Sequence, residues 1–128
     1  MKEIVDAIYA KYNADAALKA AISGGLYNTK AKQNVAFPYG VFFLISDVPD
    51  WTFTEEMENF LIQFNLFSKT SDTAEIHTAL SKLMLCYDWS SLTVTGYTHI
   101  YMKREFTELL NYDDVFQYSV RYRCEIQK

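Results

Sequence analysis

Residues Phe116 to Gln127 alternate apolar and polar at every position. Phe116, Tyr118, Val120, Tyr122, Cys124 and Ile126 share one side, and Gln117, Ser119, Arg121, Arg123, Glu125 and Gln127 share the other. Side chains alternate across a strand with period two, so this segment is a strand with one face in a core. An ordered strand of this length needs pairing partners, which argues for an antiparallel sheet. The same period recurs earlier. Phe60, Ile62, Phe64 and Leu66 lie on one face, against Leu61, Gln63, Asn65 and Phe67. Tyr39 to Ser46 holds a continuous apolar run, Val41 to Ile45, expected of a strand covered on both faces, with Pro38 confined to its start or an edge. Asp47-Val-Pro-Asp50 predicts a turn, after which Trp51 opens a strand running to Phe67. Leu92 to Glu105 predicts a further strand with Gly96 as a bulge, and Asn111 to Asp114 a connection.

A period near 3.6 marks the helices. Ile4, Ala7, Ile8 and Tyr12 give one over 2–12. Asn13 is placed to cap a second, Ala14 to Ile22, which Gly24-Gly25 ends. Leu26-Tyr27 follows as a short strand and 28–36 as a loop. Asp72-Thr-Ala-Glu75 has the form of a capping box, and the helix it opens carries Ile76, Ala79, Leu80, Leu83 and Met84 to about Cys86. The order is α, α, β, β, α, β, β. It predicts an α+β fold: a mainly antiparallel four- to five-stranded sheet with helices packed on one face.

The 128 residues fit a single domain, 1–128, long enough to bury a core without staples. With 50% hydrophobic and 22% charged residues the chain is globular rather than disordered. Aromatics reach 16%, and sheets and interfaces both favour them. A net charge of −4 gives no support to nucleic-acid binding. Cys86 and Cys124 have neither zinc nor redox spacing and are expected as buried free thiols in a reducing compartment. No apolar run approaches a membrane span, and Met-Lys-Glu-Ile-Val-Asp lacks the apolar stretch of a secretory signal, so a cytoplasmic chain is expected.

Candidate chemistry is sparse. His77 and His99 have no partner at ligand or triad spacing, so no metal or cofactor is expected. Glu55, Glu56 and Glu58 form an acidic run that fits a solvated sheet edge, and Asp113-Asp114 fits a turn. No phosphate loop, nucleophile elbow or zinc-protease motif occurs. Two sets of residues remain. Trp51 and Phe53 lie beside a turn, either folded onto the core or presented to a partner. Lys103 and Arg104, with Arg121 and Arg123, put basic groups on the last two strands. They form either a solvated face paired across strands to acidic neighbours, or an intersubunit salt-bridge surface.

Several features, taken in order, resemble a family of small siphophage and prophage proteins, the tail-completion or tail-terminator proteins. They are the Ala-rich helix Ala14 to Ile22 followed by Gly24-Gly25-Leu26-Tyr27, and Phe37-Pro38-Tyr39 leading into an apolar strand. Phe60 to Lys69 then passes through Asp72 into a helix, and Tyr118-Ser-Val-Arg-Tyr-Arg closes the chain. The resemblance covers nearly the whole length in layout, with Asp47 to Glu58 its most individual part. It implies a structural virion protein without an enzymatic reaction. Such a protein forms a ring, expected to be hexameric, which caps the head-proximal end of the tail tube and joins it to head connector proteins. Its place is the virion tail, after assembly in the host cytoplasm. Two other readings are open: a head–tail connector stopper or minor capsid protein, and a small-ligand-binding or enzymatic α+β domain with an aromatic pocket.

Overall fold

The computed structural model describes residues 2–52 and 54–128. Over these the chain forms helices α1 (Lys2–Asn13), α2 (Ala16–Ala21) and α3 (Ala74–Tyr87). The strands are β1 (Leu26–Asn28), β2 (Tyr39–Trp51), β3 (Glu56–Ser68), β4 (Thr98–Tyr112) and β5 (Val115–Gln127). The sheet has the order β1-β2-β3-β5-β4. Only β1 and β2 run parallel; the other three pairs are antiparallel. The fold is α+β, as the periodicities imply.

The alternation in β5 is realised with both of its edges paired, to β3 and to β4. Val120, Tyr122, Cys124 and Ile126 are fully buried on one face, as are Phe60, Ile62, Phe64 and Leu66 of β3. Against this face pack Ile4 and Ile8 of α1, Leu18 of α2, and Ile76 and Leu83 of α3. Phe64 sits at the centre. Its ring lies 5.9 Å from Phe42, 4.8 Å from Tyr87 and 5.6 Å, edge-on, from Tyr122. The Tyr87 hydroxyl donates to the Ile8 carbonyl at 2.7 Å, which ties α3 to α1 and satisfies a polar atom inside the core. Cys86 and Cys124 are buried free thiols, and burial pushes both up to about 12, so both stay protonated at neutral pH.

Several boundaries differ from the sequence expectations. Asp47 to Asp50 is strand rather than turn, and the hairpin closes later, beyond Trp51. There the Thr52 N–H donates to the Glu55 carbonyl at 3.1 Å, and the Glu55 N–H donates to Thr52 Oγ1 at 3.0 Å. Pro49 is tolerated because β1 pairs only with Gly40 to Phe42, leaving the outer side of β2 unpartnered beyond. The capping residue of α2 is Asp15, not Asn13; its carboxylate accepts from the Leu18 N–H at 2.9 Å. The capping box of α3 is not formed. Asp72 accepts from the Ala74 N–H at 3.1 Å, while Glu75 accepts from the Ser68 hydroxyl at 2.6 Å. Ser68 is fully buried, and its need for a partner outweighs an exposed cap. Residues 92–97 are a loop, not strand: Leu92 and Val94 drop into the core, and Gly96 turns the chain at φ +84°. The bulges of β4 fall later, at Ile100 and Glu105, and β2 has one at Ile45. Gly24 packs so close to Ala36 that a Cβ would lie 1.8 Å from its carbonyl oxygen.

The two faces of β5 define a stability test. Val120→Asp places a carboxylate at a fully buried position and should cost several kcal/mol, enough to unfold the domain. Arg121→Glu/Arg123→Glu alters the opposite face and should retain the native circular-dichroism spectrum and a cooperative melt.

Candidate functional site: the open face of the sheet

All three helices lie on one side, so among the described residues the other face of the sheet carries no helical layer. Strand parity selects its side chains. From β3 come Asn59, Leu61, Gln63 and Asn65; from β5, Gln117, Ser119, Arg121 and Arg123; from β4, Tyr101, Lys103 and Phe106. Their polar groups form a connected ladder. Arg121 Nε donates to Gln63 Oε1 at 3.0 Å, and Gln63 Nε2 donates to Asn65 Oδ1 at 2.8 Å. Ser119 Oγ donates to the same Asn65 oxygen at 3.0 Å, and Gln117 Nε2 donates to Ser119 Oγ at 3.1 Å. Further along, Arg123 Nη1 donates to Asn59 Oδ1 at 3.2 Å, and Asn59 Nδ2 donates to the Tyr101 hydroxyl at 3.2 Å. A shallow groove of about 310 Å³ crosses this end. Asn59 and Arg123 line it together with Val48 and Asp50 of β2 and Tyr101, Lys103 and Glu105 of β4. Residues from strands at opposite sides of the sheet share one groove, so the face is concave there.

The basic residues grouped by sequence separate in space. Arg123 is half-buried and pairs with Glu105 at 3.5 Å, the cross-strand partner expected for a solvated face. Lys103 lies over the Tyr101 ring, 5.7 Å from its centroid. Arg121 is exposed, stands 5.3 Å over the Phe106 ring and makes no ion pair among the described residues. Arg104 points to the helix side. Its Nε donates to both Asp88 oxygens, at 3.3 and 3.2 Å, and the buried Tyr122 hydroxyl donates to the same carboxylate. Arg104 therefore anchors the end of α3 within its own chain. Trp51 ends β2 at 65% exposure, unfolded from the core. Phe53 lies outside the described residues.

Other features carry no signal in local sequence. Asp88 is fixed by Arg104 and Tyr122, and the next residue, Trp89, takes φ +52° and is exposed, as is Leu85. Asp47 and Glu58 meet diagonally across β2 and β3. As two carboxylates they lack a donor, and Glu58 Oε2 is buried without a partner. A proton held between them supplies one. The hydrogen bond to Asp47, then burial and the negative charges of Asp47 and Glu56, raise Glu58 from an ordinary 4.5 to about 7. His77 Nδ1 lies 3.0 Å from the Tyr118 hydroxyl, and burial lowers His99. Among the described residues no group of three or more His, Cys, Asp or Glu is placed to hold a metal ion, and no helix is long and apolar enough to cross a membrane. The face offers amide and hydroxyl donors and acceptors, aromatic rings and the Arg121 guanidinium, which has no ion pair among the described residues. That is contact chemistry.

No protein-family model matches the sequence, and no curated protein is similar to it. Solved structures are similar. A chain from the virion of a native gene transfer agent particle superposes with a TM-score of 0.81 at 13% identity, over 96% of this chain and 93% of that one. The two chains share one fold. A second solved chain is similar at a TM-score of 0.57 and 12% identity, covering 96% and 95%.

The carboxyl pair gives a pH dependence of defined sign. The folded chain holds the Glu58 proton up to about pH 7 and the unfolded chain only to about 4.5, so the folded state binds more protons in between. This stabilising contribution is present below about 4.5 and is lost as pH rises through about 7. Glu58→Gln should therefore raise the melting temperature at about pH 8 and change it little at about pH 5, as read by thermal melts.

Proposed function

We propose that this chain is a structural virion protein of the tail-completion type. It forms a closed, hexameric ring at the head-proximal end of a tail tube and meets head connector proteins there. The observation that carries the reading is the near-complete superposition on a virion chain, over 96% of this chain and 93% of the other. It agrees with the layout resemblance to tail-terminator proteins, which rests on different information. The chemistry of the open face fits assembly: amides, hydroxyls and aromatic rings at strand positions make contacts without a reaction or cofactor. On this reading Trp51, Phe53, Lys103, Arg121 and Arg123 belong to subunit or partner contacts. Arg104 has the different task of holding Asp88. The protein assembles in the host cytoplasm and ends in the virion tail.

Light scattering coupled to size exclusion, with negative-stain microscopy, should find a ring of six copies alone or on tail tubes. Pull-down should retain the tail tube protein. A chain that stays monomeric at high concentration and with tubes present overturns the reading. Capture by portal complexes but not by tubes replaces it with a connector stopper.

A further inference from the structure

We propose that the β2–β3 arm of one copy seats on the Arg121–Phe106 patch of the next copy, a head-to-tail contact repeated around the assembly. The inference rests on the ring reading and specifies its interface.

The arm is an acidic hairpin end whose β2 strand is held to the sheet only through β3. From Asp47 to Trp51 every residue of β2 is exposed; among the described residues no strand lies on its outer edge, while Val48 and Asp50 border the groove shared with β4. Asp47, Asp50, Glu55, Glu56 and Glu58 fall within residues 47–58, which contain no Lys or Arg. The arm also presents apolar surface, with Val48 at 54% and Trp51 at 65% exposure. The exposed apolar surface is costly to leave in water, and the acidic charge keeps the arm from pairing with its own kind. Two arms meeting about a two-fold axis would set carboxylates against carboxylates.

The complementary surface lies across the sheet. β4 is the far edge strand, and Ile100, Phe106, Leu109 and Tyr112 are exposed along it. Arg121, from the neighbouring strand, covers the Phe106 ring and pairs with no carboxylate among the described residues. Arg123 differs, since Glu105 and Asn59 already hold it. The chain thus carries an acidic, Trp-tipped edge at β2 and an aromatic edge at β4, beside which Arg121 of β5 has no ion pair among the described residues. A closed ring built from one chain needs two different patches that fit each other, placed apart on the molecule. Trp51 would pack on Phe106 while Glu55 and Glu56 reach Arg121, joining a buried aromatic anchor to a charge pair.

Charge reversal on each side tests this. Glu55→Lys/Glu56→Lys and Arg121→Glu change exposed residues and should leave the melt cooperative. Each alone should weaken self-association by about tenfold or more at fixed salt. Mixing the two variants should restore assembly, because each arm then finds an opposite charge on its neighbour. Arg123→Glu should have the smaller effect. Trp51→Cys and Phe106→Cys should form a disulfide with each other when mixed under oxidation, and neither with itself; both native thiols are buried. If the wild type forms rings and Arg121→Glu forms them equally well, the interface is overturned and the ring reading stands. A Trp51→Cys homodimer disulfide overturns it in favour of a symmetric contact. A wild-type monomer that also ignores tail tubes removes the ring reading and this interface together.

Discussion

Phe64 is the residue on which the rest of the structure depends. It lies on β3, at the middle of the sheet, and its ring touches aromatic side chains from β2, α3 and β5. Aromatic rings bury large areas and pair best in tilted or edge-on geometries. One side chain therefore fixes the spacing of three strands and the seating of a helix. Tyr87, pressed on that ring, uses its hydroxyl to bind the Ile8 carbonyl and draws α1 into the same cluster. The order of layers follows from this contact: the face bearing Phe64 takes all the helices, and the reverse face takes none.

The reverse face then has to be stable without a cover, and it manages this with amides. Gln63, Asn65, Ser119 and Gln117 bond to one another along the strands, so polar groups that would otherwise need water are satisfied within the sheet. Such a surface is ordered before any partner arrives, and little side-chain freedom remains to be lost on contact. The outer edge of β2 from Asp47 to Trp51 is the opposite case, exposed and with no strand beside it among the described residues.

The periodic parts of the fold were legible in the sequence. The alternation of Phe60 to Leu66 and of Tyr118 to Ile126 identified the buried face residue by residue, because one side of each strand meets a packed layer. The ends of elements were less legible, for physical reasons. Asp47-Val-Pro-Asp50 carries turn residues, yet it lies on an unpaired edge where a proline is harmless, and the chain turns only at Thr52. Glu75 has the right spacing for a cap, but a buried hydroxyl 2.6 Å away claims it. Leu92 and Val94 alternate like a strand although they are loop residues falling into the core. At the candidate site, Lys103 and Arg104 are adjacent and basic, and only the register shows that they serve opposite faces. The Asp47–Glu58 pair and the outward Trp89 depend on contacts across strands or between elements, which no local pattern encodes.

The bulges at Ile45, Ile100 and Glu105 have one more consequence. Each breaks the even spacing of backbone donors and acceptors on an edge strand, and Pro49 removes a donor from β2 altogether. A regular edge is a template on which further chains can add without limit. These two edges are spoiled as templates while their side chains stay exposed, so contacts there depend on shape and charge rather than on backbone pairing that could propagate a fibre.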